Sequence, residues 1–243
     1  MKSIVIQNCR QFVFLKGYKM IRLIFQKLLD NSGKSYIIDP KIPNTLIYHN
    51  LSKRIFMLIR GILKTGKKVF IGSNTKIYNV SNISFGKNVT IDENCRIDGF
   101  SSEKIQFGDR IKIGGYSTLS ATSHLSKFGK GLKIGNDSAV GQFTEFGAAG
   151  GIEIGNDVIM GSYISFHSEN HNFSDNTKLI REQGVTSKGI KIGNNVWVGA
   201  KVTFLDGCIV GDNSVVAAGA VVNGIYPNNS IIGGIPAKVL NSL

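Results

Sequence analysis

The sequence predicts an all-β protein built as a three-sided parallel β-coil, preceded by a basic, partly helical appendage. Two observations carry this: one short phrase returns seven times, and within most copies an apolar residue recurs every six positions. The third is compositional. The chain holds 29 glycines and only 4 prolines in 243 residues. That is about 12% glycine against a background of ~7%, as expected of regular turns recurring along a repeated backbone.

The phrase reads as an apolar residue, Gly and two mostly polar residues: Ile71-Gly-Ser-Asn74, Phe85-Gly-Lys-Asn88, Phe107-Gly-Asp-Arg110, Ile134-Gly-Asn-Asp137, Ile154-Gly-Asn-Asp157, Ile192-Gly-Asn-Asn195 and Val210-Gly-Asp-Asn213. Apolar residues follow at intervals of six, as in Phe85, Ile91, Ile97; Ile134, Val140, Phe146; Ile154, Met160, Phe166; Ile192, Val198, Phe204; and Val210, Val216, Val222. Such a period suits neither an α-helix nor a simple alternating strand. It suits a coil in which a short strand and a tight turn repeat, each apolar residue pointing inward. Ile192 to Val210 spans 18 residues, three such units, so three strands make one coil. Gly and the following Asn or Asp mark the corners, since Gly accepts positive φ and Asn or Asp tolerate it.

Some spacings break the rhythm: 22 residues from Phe85 to Phe107, 27 from Phe107 to Ile134 and 38 from Ile154 to Ile192. The extra residues must leave the prism as loops, the longest over 167–189. Loops on a rigid scaffold are where chemistry is usually carried. The repeat divides the chain into a basic segment, 1–68, and a coil domain, 69–243.

Before residue 70, Lys plus Arg minus Asp plus Glu is 14 − 2 = +12; the remainder is 15 − 14 = +1. Residues 16–30 and 51–64 carry helical patterns, separated by Pro40 and Pro43. In the second, Leu51, Ile55, Leu58 and Ile62 share one face, with Lys53, Arg54, Arg60 and Lys64 elsewhere. These helices either pack on the end of the coil or make peripheral contact with an anionic membrane surface. No interleaved aromatic platform accompanies the charge, so nucleic acid is not the expected partner. Cys9, Cys95 and Cys208 form neither a CxxC pair nor a secreted disulfide framework. The apolar start is interrupted by Gln7, Asn8, Arg10 and Gln11, and no run reaches the ~18 apolar residues of a spanning helix. The expected location is therefore cytoplasmic, with the inner face of the membrane as the alternative that the basic helices leave open.

The long interruption runs from Phe166-His-Ser-Glu-Asn-His-Asn-Phe173 through Ile180-Arg-Glu-Gln-Gly-Val-Thr-Ser-Lys188 to Ile190-Lys-Ile-Gly-Asn-Asn-Val-Trp-Val-Gly-Ala200. With the repeated phrase, this run resembles the hexapeptide-repeat acyltransferases over roughly residues 69 to 240, most closely the polysaccharide and sugar O-acetyltransferases. The resemblance implies a left-handed parallel β-helix, since the handedness does not follow from the period. It further implies acetyl-coenzyme A as acyl donor, a sugar or polysaccharide precursor as acceptor, a homotrimer with the donor between subunits, and no metal. It places the general base on His171, which would take the acceptor hydroxyl's proton during direct attack on the thioester. His167 is the competing base. Asn170 and Glu145 are candidates to orient the imidazole or the acceptor.

The same resemblance sets Trp197 beside the thioester and the small residues Gly199, Ala200, Ala217 and Ala218 along the pantetheine arm. Lys238, in Gly233-Gly-Ile-Pro-Ala-Lys-Val239, would approach the coenzyme A phosphates. Where relatives often carry Thr-Lys after the last coil, this chain has Asn223-Gly224, and a further basic position falls on Asn241; either cofactor affinity from phosphate contacts is weaker, or Lys201 and a neighbouring subunit substitute. Amino-sugar N-acetyltransferases and serine acetyltransferases share the base-and-thioester logic. A γ-type carbonic anhydrase would use the same prism to hold zinc, but its His-x-x-x-x-His spacing is absent. A non-catalytic β-helix module would leave His171 and the Trp197 coil unexplained.

Overall fold

The six-residue spacing is realised as strands of two or three residues meeting at tight corners, three to a coil. This computed structural model describes residues 20–31 and 37–243. The chain divides into two units, Met1–Ile59 and Arg60–Leu243.

In the first unit, residues 20–31 are helical and a second helix, Asn44–Thr65, begins. The latter starts two turns before the stretch the apolar pattern marks, because Pro43 supplies a preset φ and its carbonyl accepts from the Leu46 and Ile47 amides. The added turns hold Asn44, Thr45, His49 and Asn50, which blur the stripe. Arg22 ties this unit together, donating to Asn44 Oδ1 at 3.3 Å and to the Asp39 carbonyl at 3.0 Å. The start of the expected first helix and Cys9 lie outside the described residues.

The second unit is a left-handed parallel β-helix. Its first face runs from Phe70–Ile71 through Ile159–Met160, Trp197–Val198 and Val215–Val216 to Ser230–Gly234, and Ala237–Ser242 adds antiparallel at its end. The second face runs from Lys76–Tyr78 through Glu145–Gly147 and Ser165–His167 to Val221–Val222. The third runs from Ile83–Phe85 through Ile152–Ile154 and Ile190–Ile192 to Ile225–Tyr226. Within each face, strands one coil apart pair in parallel and in register, as in Phe146↔Phe166↔Phe204. Those three rings are fully buried and stacked, with centroids 5.1 and 4.9 Å apart. Burying each contributes on the order of 2–3 kcal/mol, before any stacking gain.

The corner from the third face to the first explains six of the seven copies of the repeated phrase; the Ile71 copy instead turns from the first face to the second. The side-chain oxygen of Asp109, Asn136, Asn156, Asn194, Asp212 or Asn228 accepts from the backbone N–H one coil earlier, at 2.6–2.9 Å. The preceding residue must be Gly: a Cβ at Gly135 would lie 2.6 Å from Asn156 Oδ1. At the corner from the first face to the second, Tyr116, Phe143 and Tyr163 adopt left-handed φ of 57–61°. Their rings stack at 4.9 and 4.8 Å, contacts that offset the backbone strain. The extra residues of the irregular spacings all emerge at the remaining corner, between the second and third faces: 99–104, 121–131 and 168–189.

Candidate active site

The 168–189 loop is stitched to its scaffold at several points. At its root, buried Ser168 donates from Oγ to the Gly147 carbonyl at 2.7 Å and accepts from the Gly150 amide at 2.9 Å. Asn170–His171 then pairs antiparallel with Val185–Thr186, placing His171 opposite Val185 on a short ribbon. Gln183 closes the tip: its Oε1 accepts from the Asp175 amide at 3.0 Å, and its Nε2 donates to the Asp175 and Lys178 carbonyls. Gly184 follows at φ +74°, a turn that favours glycine there. At the return, the Asp206 carboxylate accepts from the Lys188 amide (2.8 and 3.0 Å) and the Gly189 amide (2.8 Å).

A second loop from the same corner braces the first. Lys127 Nζ reaches Glu169 Oε2 at 2.8 Å and also meets Ser187 Oγ, which itself donates to Glu169 Oε2 at 3.0 Å. Burial pushes the Glu169 carboxyl up, but hydrogen bonds from Lys127 and Ser187, with the charges of Lys127 and His171, outweigh it and hold the group below its usual range. Glu169 thus stays ionised at the base of the ribbon that carries His171. Composition and period gave no sign of this brace, because its members come from two loops.

His171 is exposed on the ribbon. His167 ends a second-face strand, its Nε2 2.7 Å from Ser165 Oγ. Glu145 pairs in register with Ser165, so Glu145, Ser165 and His167 share the outer surface of that face, beside the loop root. Asn170 precedes His171 on the ribbon.

The remaining candidates gather elsewhere. Trp197 stands on the first face, 61% exposed, in register with Ile159 and Val215. Gly199-Ala200 and Ala217-Ala218 turn the adjacent corner one coil apart, so closely stacked that a Cβ on Gly199 would meet the Ala218 nitrogen at 2.5 Å. Lys201 continues that corner at φ +59°. Lys238 pairs with Gly233, which lies against Ala217. One chain therefore presents two clusters: the histidine loop at one edge of the prism, and Trp197 with the small-residue corner on and beside the opposite face. Among the described residues no three His, Cys, Asp or Glu side chains gather in a metal-binding group.

Residues 189–224 match the family described as bacterial transferase hexapeptide (six repeats). A protein named as a lipopolysaccharide biosynthesis O-acetyl transferase, WbbJ of Escherichia coli strain K12, is 30% identical over 171 residues, covering 68% of this chain and 74% of WbbJ. The chain belongs to the hexapeptide-repeat transferases. Galactoside O-acetyltransferase of the same organism is 34% identical over 80 residues, 33% of this chain and 36% of that enzyme. Among solved structures, AntD, an N-acyltransferase from Bacillus cereus in complex with dTDP and 3-hydroxybutyryl-CoA, shares the fold at 22% identity, with a TM-score of 0.50 over 72% of this chain and 80% of that one.

Proposed function

We propose that this transferase moves an acetyl-type group from acyl-coenzyme A to a hydroxyl of a sugar or polysaccharide precursor, with His171 as general base. The observation that carries the reading is the loop itself. His171 sits on a ribbon stitched by Gln183, Asp206 and the Lys127–Glu169 brace, which is more order than an exposed histidine needs unless its position matters. As the hydroxyl oxygen attacks the thioester carbonyl, His171 takes the hydroxyl proton. The C–O bond forms, the C–S bond breaks, and the proton passes to the departing thiolate. Glu169 supports the imidazolium that forms meanwhile.

The donor side is the other cluster. Trp197 offers an exposed ring for the pantetheine arm, Gly199, Ala200, Ala217 and Ala218 keep the adjoining edge narrow, and Lys238 and Lys201 supply charge for phosphates. Because the two clusters occupy opposite sides of one prism, the reaction requires the first face of one protomer to meet the histidine loop of the next. A homotrimer satisfies this. Mixing His171→Ala with Trp197→Ala protomers tests it: mixed trimers regain a fraction of the activity only if the two residues serve one site from different chains.

The acceptor surface is the outer second face, where Glu145, His167 and Asn170 flank the loop. The decisive experiment is an acetyl-coenzyme A transfer screen over glycans and amino sugars. His171→Ala abolishes transfer and His167→Ala only weakens it; equal rates for His171→Ala and wild type would sink the assignment. An amino-sugar preference in the same screen would move the acceptor atom to nitrogen with the base unchanged.

From the basic helix we infer a location at the cytoplasmic face of the membrane. Helix Asn44–Thr65 has Lys53, Arg54, Arg60 and Lys64 and no acidic residue. It exposes Ile55, Phe56, Ile59, Ile62 and Leu63, a stripe suited to an interface. Among the described residues no helix is long and apolar enough to cross a membrane. Flotation with phosphatidylglycerol-containing vesicles, but not with phosphatidylcholine alone, is the expected result. Unchanged flotation of Ile55→Ser/Phe56→Ser/Ile59→Ser would refute it.

A further inference from the structure

At the root of the histidine loop, on the rim between the second and third faces, lies a cleft of about 200 Å³. Its lining includes five lysines, Lys104, Lys130, Lys133, Lys188 and Lys191, against two carboxylates, Glu103 and Glu153. The carboxylates are committed: Glu103 holds Lys133 at 2.7 Å and Glu153 holds Lys191 at 3.7 Å. Lys104, Lys130 and Lys188 form no ion pair within 4 Å among the described residues, so the cleft keeps a charge of 5 − 2 = +3.

Two glycines make this a recess. Counting back from the Leu132↔Ile152↔Ile190 register, Gly150 stands where the neighbouring coils carry Lys130 and Lys188, and Gly151 where they carry Gly131 and Gly189. The stem of Lys130 lies across Gly151, its Cβ and Cδ each 3.4 Å from where a Cβ would stand, so this lysine leans into the gap above Lys188. Two strand spacings separate the two lysines along the face, about 10 Å. Cations held around a bare floor repel one another and attract a compact multivalent anion. The floor also touches the catalytic loop: a Cβ on Gly150 would meet the Ser168 carbonyl oxygen, and His171 follows three residues later, within about 10 Å of chain.

We propose that this cleft binds the phosphate groups of the acceptor, so that the sugar acylated at His171 is one carried on a diphosphate. The inference rests on the acyl-transfer reading above and adds the acceptor's chemical class. A diphosphate seated between Lys130 and Lys188 leaves the attached sugar ring to reach along the loop root toward the imidazole. Nucleoside-diphosphate and lipid-diphosphate sugars share this group.

Calorimetric titration with inorganic pyrophosphate tests it, under saturating coenzyme A so that donor phosphate sites are filled. Wild type binds pyrophosphate more tightly than orthophosphate. Lys104→Gln/Lys130→Gln/Lys188→Gln loses affinity by about tenfold or more, while Lys41→Gln/Lys76→Gln/Lys87→Gln, with the same charge removed elsewhere, does not. All six lysines are exposed, so both variants should fold, and their melting curves check this. No pyrophosphate binding, or equal binding by all three proteins, overturns the proposal. So does a matching loss of acetyl-coenzyme A affinity in the cleft variant, which would make the cleft a donor site. If pyrophosphate behaves as expected but acetyl-coenzyme A fails to bind, the cleft stands and the acyl-transfer reading falls. Transfer assays with a uridine-diphosphate hexose and a polyprenyl-diphosphate hexose then separate the two acceptor sources, and the cleft variant loses activity on whichever is used.

Discussion

Asp206 fixes the return of the 168–189 loop, and replacing it separates a positional role from simple stability. Its carboxylate accepts from the backbone amides of Lys188 and Gly189, with Oδ1 within 2.8 Å of both nitrogens and Oδ2 3.0 Å from that of Lys188. Asp206 is only 9% exposed, and Ile190, next in the chain, is buried at 1%. Asp206→Ala removes every acceptor and leaves two amides facing a dry strand end. A hydrogen bond to a charged group contributes about 1.5–3 kcal/mol, and an orphaned donor costs about 1–3. Because Lys188 is exposed, its amide recovers water, so the expected loss is about 3 kcal/mol. For a protein of this size that lowers Tm by roughly 6–12 °C. Asp206→Asn keeps the oxygen that reaches both amides and loses only charge and one bond, at about 1 kcal/mol. Thermal melts give the stability, proteolysis of native protein reports cleavage within 168–189, and kcat is measured beside acetyl-coenzyme A affinity. Asp206→Ala should open the loop to protease and lower kcat with donor affinity intact. Equal melting of the Ala and Asn variants would show that shared acceptance at Oδ1 is not what holds the loop.

Phe166→Ala, at the centre of the buried three-ring stack, should cost about 3–5 kcal/mol by urea unfolding, clearly more than Val222→Ala at the column's end. The Lys127–Glu169 brace predicts a pH signature. The Glu169 carboxyl is held below its ordinary value of 4.5 in the folded state, so its contribution is complete above that value and lost as pH falls through the lowered one. Lys127→Met should therefore be less stable than wild type near neutrality, with the gap closing below about pH 4; a constant gap in chemical denaturation would contradict this. Burial pushes the Cys208 thiol up to about 12 and raises that of Cys95 as well. In a Cys9→Ser background, a thiol reagent at about pH 8 should label nothing until denaturant is added.

The coil was legible because its rules are local. An inward residue every six positions, a Gly that must lack a Cβ and a following Asn or Asp with a side-chain oxygen are each imposed by contact with the next coil, so they repeat. The loops were legible only as surplus length between Ile154 and Ile192, because nothing repeats inside them. His171, Trp197 and Arg-Glu-Gln-Gly carried a family resemblance, but the work of Gln183, two hydrogen bonds to Asp175 and one to Lys178, is fixed by a fold-back that no spacing announces. Nor did the sequence show that His171 and Trp197 lie on opposite sides of one prism. That follows from which corner releases the loop. The left-handed Tyr116, Phe143 and Tyr163 were hidden too, because they occupy positions where Asn74 and Asn94 obey the turn rule and aromatic rings break it.

The interlocking of side-chain oxygens with amides along one corner has an evolutionary consequence. Each of those residues serves the coil before it and is served by the coil after it, so a segment spliced in there would unfasten two layers at once. The stacked aromatics and close-set glycines make the neighbouring corner equally intolerant. Only the edge where the second face hands over to the third can lengthen without disturbing adjacent layers. Changes of length in proteins built this way should therefore accumulate at that single seam, while the rest of the stack changes slowly around it.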